Sequence, residues 1–182
     1  MDWGRKAIIV LSCAALGVPL LGGGAGAGRI TCFGSTAPNR YLGDESDDVF
    51  TGSSGPDVFF GGGGHDEIDG RGGRDKICGG RGRDMLKGGR GADKVNGQDG
   101  DDSGKDGGVY GRGGNDLVVG GGGEDWLFLG DGMDTGKGKS GDDQLSGFDE
   151  VEGNDILNAG SGNQDICGAD PNDKYLSCEF FE

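Results

Sequence analysis

Between Gly52 and Asn96 the chain repeats itself every nine residues, in five consecutive copies: GSSGPDVFF, GGGGHDEID, GRGGRDKIC, GGRGRDMLK and GGRGADKVN. Each copy has Gly at its first and fourth places, Asp at its sixth and an apolar residue at its eighth. This period restricts the fold severely. The last three residues of a copy alternate polar, apolar, polar, as in a short strand with one buried face. The other six form a turn, in which glycine reaches backbone angles that a Cβ resists. Strand, turn, strand, turn closes one coil in eighteen residues. A copy then lies over the next but one, and their strands pair in parallel about 4.8 Å apart. The predicted fold class is all-β, a parallel β-roll, meaning a two-sheet solenoid of nine-residue repeats.

The pattern extends beyond the regular five. GDESDDVFT, from Gly43, keeps Asp48 and Phe50. GQDGDDSGK keeps Asp102 but has Gly104 at the core place, and five extra residues, Asp106 to Tyr110, follow it. Val109 is expected to restore the missing core contact, with a bulge rather than a break in the coil. GRGGNDLVV and GGGGEDWLF resume the pattern, LGDGMDTGK has Gly136 at the core place, and GKSGDDQLS and EVEGNDILN complete the series. Twelve copies can be traced, six layers at most. All twelve carry the sixth-place acid: Asp48, Asp57, Asp66, Asp75, Asp84, Asp93, Asp102, Asp116, Asp125, Asp134, Asp143 and Asp155.

Stacking at this pitch fixes the chemistry. Two carboxylates about 4.8 Å apart can share a Ca²⁺ ion, which takes oxygen ligands at about 2.3 to 2.6 Å, and carbonyls of the glycine turns can complete its six to eight ligands. Mg²⁺ demands a tighter octahedron. Gly-Asp pairs are also ordinary turn formers, but that reading gives no reason for Asp at every sixth place. The twelve aspartates are therefore the expected metal ligands, binding several Ca²⁺ ions. On these residues the sequence resembles the hemolysin-type (RTX) calcium-binding nonapeptide repeats. The resemblance implies a calcium-triggered folding module, of a kind often attached to secreted hydrolases, toxins or adhesins. No catalytic or pore-forming domain accompanies the repeats here, so they are expected to be the whole protein.

Composition agrees with dependence on cations. The 182 residues are only 32% hydrophobic, 46 are glycine, and the formal net charge is -15. Such a chain is expected to be disordered unless its like charges are neutralised.

Residues 1–27 have the layout of a secretory signal peptide: Arg5 and Lys6, an apolar run from Ala7 to Leu21, then Ala25-Gly26-Ala27. Cys13 as a lipidation site is the alternative. The mature chain would be extracellular, without a transmembrane span, and would keep Cys32, Cys78, Cys167 and Cys178. Four cysteines in an exported chain point to disulfides and allow three pairings. Cys32 with Cys78 and Cys167 with Cys178 are the pairs favoured, over a metal site that lacks C-x-x-C spacing. The first would staple a leader, residues 28–42, to the repeats at 43–158. The tail, residues 159–182, loses the period and is expected to form a C-terminal cap over the last open layer. A Cys-Gly…Cys-Glu ending of this kind resembles those of secreted bacterial repeat proteins.

Three features fall outside this scheme. Residues 70 to 96 hold eight Lys and Arg against three Asp. This basic band is read as variable positions that balance the acidic remainder, with an anionic surface polymer as the alternative; nucleic acid is not expected, because no aromatics interleave with it. Seventh and ninth places should face solvent, yet they hold Val58, Phe60, Leu117, Val119, Trp126 and Phe128. For Val58 and Phe60 cover by the protein itself is expected. For Trp126 and Phe128 such cover and a partner surface are both open, and the latter gives a second functional reading, an adhesin or scaffold for a cell-surface or polysaccharide ligand. His65, in a turn, is expected to be exposed and inert. There is no H-E-x-x-H or G-x-S-x-G motif and no cleft with a defined carboxylate pair, so an enzyme is not expected. The chain is read as a monomer.

Overall fold

The computed structural model describes residues 39–104, 107–149 and 155–178, and these form a parallel β-roll of about seven turns with no helix. The first eight strands are β1 (Asn39–Leu42), β2 (Val49–Thr51), β3 (Asp57–Gly63), β4 (Glu67–Asp69), β5 (Lys76–Arg81), β6 (Met85–Arg90), β7 (Lys94–Asp99) and β8 (Gly108–Gly113). The rest are β9 (Leu117–Gly122), β10 (Trp126–Asp131), β11 (Thr135–Ser140), β12 (Gln144–Gly147), β13 (Ile156–Ser161), β14 (Ile166–Ala169) and β15 (Lys174–Leu176). Odd-numbered strands make one sheet of eight and even-numbered strands the other, of seven. All pairings are parallel, and away from the insertions they join residues two copies apart: Phe59 lies beside Ile77, and Ile68 beside Leu86.

The two eighth-place columns meet between the sheets. Phe59, Ile77, Val95, Val118 and Leu157 from one, and Ile68, Leu86, Val109 and Leu127 from the other, are all fully buried. Tyr41 and Phe50 close the first end of this core, with the Tyr41 ring stacked on Phe59 at 4.5 Å between centroids. Val109 does take the place vacated by Gly104, since it lies between Leu86 and Leu127 in register. The extra residues therefore leave the ladder intact. Leu129, at a first place that is otherwise mostly glycine, is also fully buried and packs beside Gly136.

The structure departs from the expected layout in four respects. Fifteen strands exceed six layers, because β1 precedes the first traceable copy and β14 and β15 follow the last. Beyond Asn158 the glycines thin out, but Asp165 and Asp173 keep the ladder: their Oδ1 atoms accept the backbone N–H groups of Asp143 and Asp155 at 3.0 and 2.9 Å. Most strands run six residues rather than three, as pairing continues through the first glycines of the next copy. Finally, Val58 and Val119 are buried although they point away from the core, Phe60, Leu117 and Trp126 are half-buried, and Phe128 alone of the six is exposed.

Cys167 and Cys178 form a disulfide with Cα atoms 5.7 Å apart. Cys78 is also disulfide-bonded. Its expected partner Cys32, the signal-peptide segment and Cys13 lie outside the described residues.

Candidate metal centre

Each turn delivers its aspartate to an edge of the roll, where the sixth-place residues form two columns. One runs Asp57, Asp75, Asp93, Asp116, Asp134, Asp155 and Asp173; the other runs Asp48, Asp66, Asp84, Asp102, Asp125, Asp143 and Asp165. Within a column the contact is regular. The Oδ1 of each aspartate accepts the backbone N–H of the aspartate one coil earlier, as Asp75 does from Asp57 at 2.8 Å and Asp84 from Asp66 at 2.9 Å. Even across the insertion, Asp116 accepts from Asp93 at 2.8 Å and Asp125 from Asp102 at 3.0 Å. One oxygen per carboxylate is thus committed to the fold, a division that the shared-ion picture lacked.

The second oxygen is not. Oδ2 of Asp66, Asp75, Asp84, Asp93, Asp102, Asp116, Asp125, Asp134, Asp143 and Asp155 is buried and has no hydrogen-bond partner. A buried polar atom left unpaired costs free energy on the order of 1–3 kcal/mol, more when charged. Ten such atoms at equivalent positions point to a cation. The other two predicted ligands differ. Oδ2 of Asp57 accepts Ser53 N–H at 2.7 Å and Ser53 Oγ–H at 3.0 Å, and Oδ2 of Asp48 accepts Asp44 N–H at 3.1 Å.

The surroundings are oxygen-rich. A Cβ on Gly70 would lie 2.6 Å from Asp75 Oδ2 and 2.5 Å from the Gly88 carbonyl oxygen; on Gly88 it would lie 2.8 Å from both Asp93 Oδ2 and the Gly111 carbonyl oxygen. First-place glycine thus leaves a slot lined by a carboxylate oxygen and a carbonyl of the next coil. Among the described residues no three His, Cys, Asp or Glu side chains converge. An ion held here would draw on backbone carbonyls for the rest of its shell, a donor set of hard oxygens that suits Ca²⁺.

Electrostatics carry the same message. Burial, reinforced by neighbouring aspartates, pushes the Asp102 and Asp134 carboxyls up to about 8. Burial likewise brings Asp66, Asp75, Asp116, Asp125 and Asp143 up to about 7, and raises Asp84, Asp93 and Asp155. The accepted N–H bonds oppose the shift without cancelling it. In the protein alone, burial disfavours the charged form of the ladder carboxyls.

Models of the RTX calcium-binding nonapeptide repeat match residues 42–77, 79–103, 110–145, 128–163 and 151–170. The chain belongs to this RTX repeat family. No curated protein matches it. Calcium binding in a β-roll is the property of RTX repeats, and the family is structural rather than catalytic.

A further set of RTX turn contacts was not foreseen. Fifth-place side chains accept N–H groups in the opposite direction, from the following coil: Asp47 from His65 at 2.9 Å, Asp101 from Glu124 at 3.1 Å and Asn115 from Met133 at 3.2 Å. His65 belongs to this set, because its Nδ1 accepts Arg83 N–H at 2.9 Å. It is exposed, as expected, but it joins two coils and is not inert. Alternate Asp, His and Asn at fifth places were the available signal, hidden by the Arg, Ala and Glu that share the position.

Proposed function

We propose that the protein is an exported calcium-binding repeat protein whose β-roll folds when several Ca²⁺ ions bind along the two aspartate columns. The observation that carries this reading is the set of ten buried, unpartnered Oδ2 atoms, seven of which, those of Asp66, Asp75, Asp84, Asp93, Asp102, Asp116 and Asp143, line a glycine slot together with a backbone carbonyl. When bound, calcium supplies positive charge and a demand for oxygen ligands. The residues do the rest. Oδ1 fixes the spacing of successive turns, Oδ2 and glycine carbonyls present donors, and the eighth-place side chains stack once the turns are held. The sites proposed are the twelve predicted aspartates, with Asp48 and Asp57 the weakest because their Oδ2 atoms already accept hydrogen bonds.

The organisation that goes with this function is a signal peptide at 1–27, a leader at 28–42 stapled through Cys32 and Cys78 and ending in β1, the repeats at 43–158, and a segment at 159–182 that caps the roll by adding its last strands, β14 and β15. The location is extracellular, where affinities of about 10⁻⁴ to 10⁻³ M are typical. Ion binding, rather than turnover of a substrate, is the activity. The test is a calcium titration of the oxidised mature protein followed by far-UV circular dichroism, with magnesium as control. A cooperative gain of β signal that chelator reverses and magnesium fails to reproduce is expected. A spectrum already folded without calcium, and unmoved by it, would sink the proposal.

A further inference from the structure

The basic band does not stay a band in three dimensions. Arg71, Lys87 and Arg90 meet Arg112, from beyond the insertion, around a shallow open cleft of about 610 Å³ at one corner of the even-numbered sheet, with Asp69 and Asp131 also on its walls. Gly89 lies in its floor. Lys87 is paired with Glu67 at 3.2 Å, but the guanidiniums of Arg71, Arg90 and Arg112 pair with no described carboxylate. Two of these arginines sit where the backbone favours glycine: φ is 69° at Arg71 and 88° at Arg112, while Gly89 and Gly130 of the same column have φ of 111° and 93°. A Cβ is disfavoured there. Gln98 and Lys139 take the same conformation at second places outside the cleft, at φ 85° and 98°, so the strain belongs to the turn, and what sets the two arginines apart is the cleft they share.

Next to the cleft the same outer face carries rings. Lys87 neighbours Tyr110 in register, and Tyr110 neighbours Phe128. The two rings stack in parallel, with centroids 4.8 Å apart and planes 8° apart, and Phe128 remains 37% exposed. Tyr110 leans over Gly108, where a Cβ would come within 2.9 Å of its ring. Trp126 lies on this face too, two residues before Phe128 and half-buried.

We propose that this corner binds an acidic polysaccharide, with Arg71, Arg90 and Arg112 taking its carboxylate or sulfate groups and the Tyr110 and Phe128 rings lying against its sugars. Guanidinium forks match such oxyanions, and their lack of carboxylate partners leaves them available. Asp69 and Asp131 suit sugar hydroxyls, which can donate to them. The same two carboxylates, together with the acidic edges of the roll, disfavour a polymer as densely charged as nucleic acid. The closed stack of the two rings also leaves no gap for a base between them. This inference goes beyond calcium binding and rests only on the folded roll, so each can fail without the other.

The test uses the oxidised protein with calcium present. Binding of a heparin oligosaccharide, a polygalacturonate oligosaccharide and an oligodeoxythymidylate is measured by calorimetry at two salt concentrations. At least one saccharide is expected to bind, more weakly at the higher salt, and which one does so assigns sulfate or carboxylate. The decisive variant is Arg71→Gly with Arg112→Gly, since glycine suits both backbone conformations: affinity should fall at least tenfold while the circular dichroism, calcium titration and thermal midpoint hold or improve. Arg81→Gln, which removes a charge outside the cleft, should leave affinity unchanged. Absence of binding to both saccharides overturns the proposal. So does undiminished affinity in the double glycine variant, or oligodeoxythymidylate bound as tightly as the saccharides.

Discussion

Leu129 fills the space in the core that Gly136 leaves empty: a Cβ on Gly136 would lie 2.9 Å from Leu129 Cδ2 and 3.3 Å from Cδ1. Both residues belong to one copy, so the copy exchanges its first-place glycine and its eighth-place apolar residue. Leu129→Ala should destabilise the folded protein by about 2–5 kcal/mol, as for other buried leucines. Gly136→Leu alone should cost about 1–3 kcal/mol through overpacking. The two places compete for one volume. Leu129→Gly combined with Gly136→Leu should therefore be much less damaging than the sum of the single changes, a coupling that urea unfolding of the four proteins would measure. Strict additivity would contradict the exchange.

Raised carboxyl pKa values set a pH dependence for the calcium-free protein. An unfolded Asp titrates near about 4, whereas the ladder carboxyls titrate up to about 7 or 8 when folded. Between those limits the folded state holds more protons, so stability is fully present below about pH 4 and is lost as pH rises through the folded values. In chelator, the far-UV β signal at pH 5 should exceed that at pH 8. Saturating calcium should abolish or reverse this order. A chelated protein that gains β signal toward pH 8 would show that burial does not disfavour the charged columns.

How much of this was legible in the sequence follows from what each residue does. Sixth-place Asp and eighth-place apolar residues act locally and periodically, so the parallel columns through Asp75 and Ile77 could be read directly. Asp165 and Asp173 escaped because the glycines thin out around them, with Ala159 at a first place and only Gly162 kept at a fourth, yet a carboxylate that accepts an N–H one coil away needs no full glycine pattern of its own. Leu129 was visible only as a departure from glycine, and its use depends on Gly136 across the core. The division of labour between Oδ1 and Oδ2 lay below the resolution of the pattern, which marks a residue but not its atoms. Arg112 was missed for a similar reason: it lies outside the run of positive charge and reaches Arg90 only through the coil.

The Cys167 to Cys178 disulfide should matter to the last layers. It spans 11 residues of sequence, and Cys167 also lies in the core column beside Leu145. Closure of a loop of this size is worth about 3 kcal/mol in the chain-entropy model. Cys178→Ser, which spares the core position, should lower stability by about 2–4 kcal/mol and expose the β14 and β15 amides to hydrogen exchange before those of β5 to β8. Uniform loss of protection along the roll would argue that the disulfide does not act locally on the end of the coil.

Asp84 and Asp57 should separate the two roles of the ladder aspartates. In Asp84→Asn the remaining Oδ1 can still accept the Asp66 N–H, now at 2.9 Å, while the unpartnered Oδ2 is replaced. The buried charge disappears and its structural bond stays. At neutral pH in chelator this variant should show at least as much β signal as the parent, but it should bind calcium at least tenfold more weakly in the affected site. Asp57→Asn removes an Oδ2 that accepts from Ser53 at 2.7 and 3.0 Å. It should lose about 1–3 kcal/mol of stability in saturating calcium, and change calcium affinity less. Calorimetric calcium titration and thermal unfolding of both variants decide the matter. If Asp57→Asn proves the more damaging to calcium binding, the unpartnered Oδ2 is not what marks a ligand, and the first rung of the column binds as well as those inside it.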